Sequence, residues 1–243
     1  MYCYIDRVPF SRMDYSGKLS VSGVVDAMQD CCMFHSEEVG HSSQELLKKN
    51  RAWLVSSWHI VFDSRPKMGQ KFRVKTWPYK FQGVIGSRNF VMETMDGEVL
   101  CYADSHWFYA DVSTGKPVRI EKEELDAYPV EPRYEMEKVS RKVKCPDELK
   151  RIQTVEVCQN YLDTNGHMNN GQYIRLAVNV LPPDYAVREL CAEYRLAAHM
   201  GDTLYLKTAQ QDGYFYVVIT DKEGIPYFLS KFKSYSEGRE VRA

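Results

Sequence analysis

The sequence predicts an α+β protein built from two copies of one module, each an antiparallel sheet wrapped around a central helix. Two observations carry this. Three landmarks occur twice, in the same order, along the 243 residues. Each occurrence also sits in the same succession of elements: an extended lead-in, a polar loop around an aspartate, one helix, then four strands rich in β-branched and aromatic residues.

The first landmark pairs "RMDYSGKLSVSGVV", starting at Arg12, with "YLDTNGHMNNGQYI", starting at Tyr161, so that Asp14 meets Asp163 and Gly17 meets Gly166. The second pairs "MGQKFRVKT" from Met68 with "MGDTLYLKT" from Met200. The third, "MDGEVL" against "KEGIPY", shares a turn glycine at Gly97 and Gly224. The expected modules are residues 1–128 and 151–243. The polar, proline-bounded stretch 129–150 reads as a crossover linker.

In the first module the lead-in is Tyr2–Ile5 and the helix runs from Leu19 to about Glu38; strands follow over 53–62, 71–77, 89–94 and 99–111. In the second, Gln153–Cys158 leads in and the helix spans Asn170 to Leu181. Asn169 is its expected N-cap, Gln172 completes a capping-box pattern, and Pro182–Pro183 stops it. Strands are expected over 189–197, 203–209, 214–220 and 226–236.

Composition narrows the function. Thirty-two Lys and Arg against thirty-three Asp and Glu leave a formal charge of −1, without the basic excess that nucleic acid as main partner would want. Seven cysteines, an odd number without CxxC spacing, argue against a disulfide framework or a zinc site and for a reducing compartment. "MYCYIDRVPF" has no signal-peptide pattern, and no apolar run is long enough to span a membrane. The expectation is a cytoplasmic protein without membrane insertion.

The loop of the second copy carries the chemistry. Asp163, Asn165 and His167 share one side of an extended segment, and a helix begins just after them. Unpaired N–H groups at that helix start could polarise a carbonyl and stabilise an oxyanion, while His167 and a carboxylate deprotonate water. The structural alternative is that Asp and Asn cap the loop and His167 satisfies a backbone carbonyl. The first copy bears on this choice, because it keeps Asp14 and Gly17 but has Ser16, Lys18 and Val21 in place of Asn165, His167 and Asn170. A loop of this kind works without Asn and His, so their presence in one copy favours function.

"LDTNGHMNNGQYI", "EYRLAAHMGDTL" and "HWFYADVSTGKPVRI" together resemble the acyl-acyl carrier protein thioesterases, double hot-dog proteins. The resemblance implies two tandem hot-dog modules and hydrolysis of fatty acyl-acyl carrier protein to free fatty acid and holo carrier protein. It assigns Asp163, Asn165 and His167 catalytic roles, the second module catalysis and the first the acyl chain. Gly166 and Asn170 join the substrate-binding set through the loop, and Val24 and Met28 through the first helix, whose adaptable side chains suit an acyl tunnel. No cofactor or metal is implied.

The plant enzymes also place a catalytic Glu-Cys pair where this chain has Ala197 and Ala198. Basic residues Arg141, Lys142, Lys144, Lys150 and Arg151 could steer an acidic carrier protein, although a mixed charge run is more often a solvated face. Cys191 reads as a small buried hydrophobe and His199 as a surface turn residue. An acyl-CoA thioesterase, a hot-dog hydratase and a non-catalytic acyl-thioester sensor stay open as alternatives. The sequence is compatible with a homodimer.

Overall fold

In the computed structural model, which describes residues 1–235, the chain divides into two compact units. One comprises Met1–Ser56 and Phe62–Val139; the other comprises Ser57–Val61 and the chain from Ser140 onward. The end of the strand expected over 226–236 and the end of the expected second module lie outside the described residues.

The first unit contains β1 (Tyr2–Arg7), α1 (Val21–Glu38), α2 (Ser43–Lys48), β2 (Arg51–Phe62), β3 (Lys71–Gln82), β4 (Ile85–Thr94), β5 (Val99–Asp111) and α3 (Lys122–Ala127), with the exception of the Ser57–Val61 piece of β2. Its strands are ordered β1-β3-β4-β5, with β2 beyond β5, and α1 packs against β3 and β1. Ser20 caps α1 by accepting from the Gly23 N–H at 3.0 Å, so the helix begins at Val21 rather than Leu19. Val24, Val25, Met28 and Cys31 on α1 are fully buried, as are Phe72 and Val74 on β3 and Phe90 and Met92 on β4. Each such large apolar side chain contributes on the order of 1.5–3 kcal/mol.

The second unit contains β6 (Lys150–Glu156), α4 (Asn170–Asn179), β7 (Val187–Tyr194), β8 (Thr203–Gln211), β9 (Tyr214–Thr220) and β10 (Pro226–Ser234). Its strands are ordered β7-β10-β9-β8-β6; Ser57–Val61 of β2 pairs antiparallel with β7, and α4 packs on β9. The strand expected to reach residue 197 ends at Tyr194, because Arg195 N–H and Leu196 N–H both turn to the Tyr227 carbonyl. Helix α4 stops at Asn179, earlier than expected, with Val180 closing its last turn.

The two short helices α2 and α3 were not expected from the sequence. Each has six residues, below the length at which local propensity sustains a helix, and each is held by what it buries: Leu46 in α2 and Glu124 in α3. The polar stretch 129–150 is not a free linker. On the first unit, Pro132 accepts from Trp77 Nε1 at 2.9 Å, Asn89 Oδ1 accepts from Tyr134 N–H at 2.9 Å, and Arg133 pairs with Asp104 at 2.9 Å. On the second, Val143 N–H donates to Glu193 Oε2 at 2.8 Å.

His35, near the end of α1, stacks on Tyr2, and its Nδ1 accepts a 2.9 Å hydrogen bond from Arg88 Nη1. Burial, then the Arg88 charge, lowers its pKa to about 4. As pH falls from about 6.5 to about 4, the unfolded chain takes up a proton at this histidine that the folded chain does not. Stability is therefore lost at up to about 1.4 kcal/mol per pH unit over that window. Urea unfolding across the window is expected to show a shallower pH slope for His35→Gln than for the unaltered protein; identical slopes would remove this assignment.

Candidate active site

The loop around Asp163 is built from backbone hydrogen bonds. Asp163 N–H donates to the His167 carbonyl at 2.7 Å, Gly166 N–H to the Asp163 carbonyl at 3.1 Å, and Asn169 N–H to the Tyr161 carbonyl at 2.8 Å. The first unit repeats the pattern bond for bond: Asp14 to Lys18 at 3.0 Å, Gly17 to Asp14 at 3.1 Å, and Ser20 to Arg12 at 2.9 Å. Both turns need a residue with positive φ, and glycine supplies it at Gly17 (φ 74°) and Gly166 (φ 75°). The shared aspartate and glycine therefore follow from the shape of the loop.

Asp163 Oδ1 accepts from the Asn165 N–H at 2.8 Å and the His167 N–H at 3.2 Å, just as Asp14 accepts from the Ser16 N–H at 2.9 Å. The carboxylate thus holds the backbone that carries Asn165 and His167, and no side-chain hydrogen bond joins it to the imidazole. Asn165 is exposed and His167 half-buried. Asn169 caps α4, its Oδ1 accepting from Gly171 N–H at 2.8 Å. Gln172 does not complete the capping box: its N–H bonds the Asn169 carbonyl, and its side chain accepts from Arg175 at 3.5 Å. Asn170 opens the helix, its carbonyl taken by Tyr194 Oη at 3.1 Å.

What the sequence reading missed is the partner of His167. A backbone bridge joins His167 to His199, and the two rings meet edge to face with centroids 4.9 Å apart. His199 Nδ1 lies 3.9 Å from Asp202 Oδ2, which also accepts from the His199 N–H at 2.8 Å and from Tyr227 Oη at 3.3 Å. The corresponding bridge in the first unit joins Lys18 to Lys67, and burial with the nearby Arg65 and Lys67 charges lowers the pKa of Lys18. One backbone device thus presents two ammonium groups in one unit and two imidazoles in the other. The repeat alignment already paired Met68 with Met200, so the residues just before them, Lys67 and His199, were the available signal.

Ala198 is fully buried and structural: its N–H donates to Tyr173 Oη at 2.8 Å, and its carbonyl accepts from Met168 N–H at 2.8 Å. Ala197 is exposed. Glu193 offers no substitute carboxylate, being buried and bonded to Val143 N–H and to Arg195 Nε at 2.6 Å. Val24 and Met28, expected to bind an acyl chain, both lie fully buried on α1. Cys191 is buried, as expected; His199, expected at a surface turn, is exposed but touches His167.

Such an assembly can do proton-transfer chemistry on a carbonyl. Two imidazoles lie in contact, and one of them stands beside the Asp202 carboxylate. The start of α4 adds the Asn170 N–H, while those of Gly171 and Gln172 are already taken by Asn169.

The profile of the acyl-ACP thioesterase N-terminal domain matches residues 5–128. A chloroplastic acyl-[acyl-carrier-protein] hydrolase of Cuphea viscosissima is 28% identical over 196 residues, covering 72% of this chain and 47% of its own length. A chloroplastic palmitoyl-acyl carrier protein thioesterase of Arabidopsis thaliana is 27% identical over 208 residues, covering 78% of this chain and 50% of its own. The chain therefore spans about half the length of the curated relatives it matches. An acyl-ACP thioesterase structure from Bacteroides thetaiotaomicron superposes with a TM-score of 0.87 at 23% identity, covering 96% of this chain and 97% of that one. The 12:0-ACP thioesterase of Umbellularia californica gives 0.86 at 19% identity, covering 96% of each. These structures show the same fold, the double hot-dog architecture expected above.

Proposed function

We propose that this chain, which belongs to the acyl-ACP thioesterase family, hydrolyses the thioester of fatty acyl-acyl carrier protein to free fatty acid and the thiol of the holo carrier protein. The observation that carries the reading is the pair His167 and His199 at the start of α4, where the sister unit has Lys18 and Lys67. An imidazole carries a nitrogen lone pair that can take up a proton from water, which an ammonium group lacks.

In this reading Asn165 and the start of α4, including Asn170 and the turn at Gly166, hold the thioester carbonyl. His167 removes a proton from water as its oxygen attacks the carbonyl carbon, and the oxyanion is held by the same donors. Collapse breaks the C–S bond, and the proton on His167 passes to the departing thiolate. Asp163 positions the loop; His199, beside Asp202, stabilises the charged imidazole. This division replaces the expected direct support of His167 by Asp163. Neither role draws on Ala197 or Ala198.

The acyl-chain role falls to the first module, with Val24 and Met28 of α1 as the residues that would set chain length. The carrier protein is the proposed partner, steered by Arg141, Lys142, Lys144, Lys150 and Arg151, all exposed. The proposed compartment is the cytoplasm: none of the seven cysteines, all among the described residues, is in a disulfide, and among the described residues no helix is long and apolar enough to cross a membrane.

The test is thiol release from matched acyl-carrier-protein and acyl-CoA substrates across a range of chain lengths. Preferential cleavage of carrier-bound chains is expected. Equal or better cleavage of acyl-CoA would shift the assignment to an acyl-CoA thioesterase. Acyl binding without thiol release would indicate a sensor, the alternative that Ala197 and Ala198 leave open.

A further inference from the structure

We infer that His59, Glu189 and Cys191 form a binding site for one divalent cation, zinc(II) by the chemistry of its donors, in the sheet of the second unit. The inference stands apart from thioester hydrolysis and uses none of its residues. It also departs from the expectation, drawn from cysteine spacing alone, that the chain holds no zinc site.

The register of the sheet assembles the group. His59, in the Ser57–Val61 piece of β2, lies directly across from Cys191 on β7. Glu189 lies two residues before Cys191 and so points to the same face. His59 Nε2 is 3.0 Å from Glu189 Oε1, Cys191 Sγ is 3.7 Å from that same oxygen, and all three donor atoms fall within 4.8 Å of one another. Tetrahedral zinc, bonded at about 2.0–2.1 Å to nitrogen and oxygen and about 2.3 Å to sulfur, spaces its ligand atoms roughly 3.3–3.7 Å apart. Two edges of the triangle already stand near the spacing an ion would impose.

Charge and burial agree with the geometry. A neutral imidazole, a carboxylate and a thiolate balance a doubly charged ion, so the site would bury no net charge. Mixed nitrogen, oxygen and sulfur donors suit zinc better than magnesium or calcium. His59 is 5% exposed and Cys191 2%. Among the described residues, nothing besides Glu189 competes for the ring: Nε2, the nitrogen facing the triangle, is held only by that carboxylate, and Nδ1 is buried with no hydrogen-bond partner. Without an ion, Glu189 accepts from both His59 and Cys191; a bound cation would take the place of the protons those two contacts hold. Binding is balanced by loss of the thiol proton of Cys191 to solvent as the metal–sulfur bond forms. Lys231, the register partner of Cys191, sits over the Tyr214 ring at 4.2 Å, and its charge also acts on Glu189.

The experiment uses the full chain without an affinity tag, stripped with a chelator and titrated with cobalt(II), then zinc(II). One equivalent of cobalt is expected to bind with a thiolate-to-cobalt charge-transfer band, and one equivalent of zinc to bleach it. Cys191→Ser is expected to lose the band. Loss of even an outer partner of a ligand costs about 10–100-fold in metal affinity, so His59→Gln is expected to weaken cobalt binding at least that much. Absence of stoichiometric cobalt or zinc binding by the unaltered protein overturns the site without reference to any variant. A band that persists in Cys191→Ser also overturns it, since the thiolate would then belong to another cysteine, such as the exposed Cys3 or Cys158.

Discussion

His167→Ala is expected to lower kcat for acyl-carrier-protein hydrolysis by about 10²–10⁴-fold, with KM little changed, because the lost group acts on the proton in flight rather than on the bound substrate. At 1.36 kcal/mol per tenfold, this is a barrier increase of roughly 3–5 kcal/mol. The side chain is half-buried and meets the His199 ring edge to face, so the variant is expected to fold normally. Steady-state kinetics with a far-UV spectrum and a melting curve check both halves. His199→Ala separates the roles further, since a supporting imidazole changes the pH profile of kcat more than its ceiling. A His167→Ala enzyme of near-normal kcat would move the base elsewhere.

Glu124→Ala is expected to destabilise the protein by about 3–5 kcal/mol without touching the proposed chemistry. Glu124 is 1% exposed, and its two oxygens serve different parts of the first unit: Oε1 accepts from Trp53 Nε1 at 2.6 Å, and Oε2 pairs with His41 Nδ1 at 2.5 Å. Truncation leaves an indole N–H and an imidazole without partners, beside a cluster formed by Leu46, Tyr109 and Ile120. It also removes the only buried anchor of α3. Glu124→Gln keeps an acceptor for Trp53 and is expected to lose less, about 1–2 kcal/mol. Denaturant midpoints for the two variants test the order; an Ala variant no weaker than Gln would show that the carboxylate is not holding this corner.

The comparison of the two loops shows how much of the site was legible beforehand. Asp163 and Gly166 recur as Asp14 and Gly17 because one turn needs a positive φ and a carboxylate that accepts the N–H two residues on, so a repeat alignment finds them. Asn165 and His167 stood out because they break the repeat. The direct Asp163–His167 contact could not be judged from the i, i+4 spacing, which is compatible with a carboxylate facing either the ring or the backbone; the backbone N–H groups are the partners in the fold. His199 was dismissed as a turn residue because its contact with His167 spans thirty-two positions of chain.

Helix α1 and the long strands were readable because their patterning is local: β-branched and aromatic runs and a long helical stretch of apolar spacing. Helices α2 and α3 were not, because six residues carry no usable period and depend on Leu46 and Glu124 reaching partners far along the chain.

The sequence by itself determined the duplication, the α+β class, and which copy of the loop carries asparagine and histidine, since all three are written in residue type and order. Only the tertiary structure decided which groups meet: His199 with His167, Tyr173 with the Ala198 backbone, and His59 with Glu189 and Cys191. Strand register sets those meetings, and register arises from the packing of whole sheets rather than from any short stretch of chain.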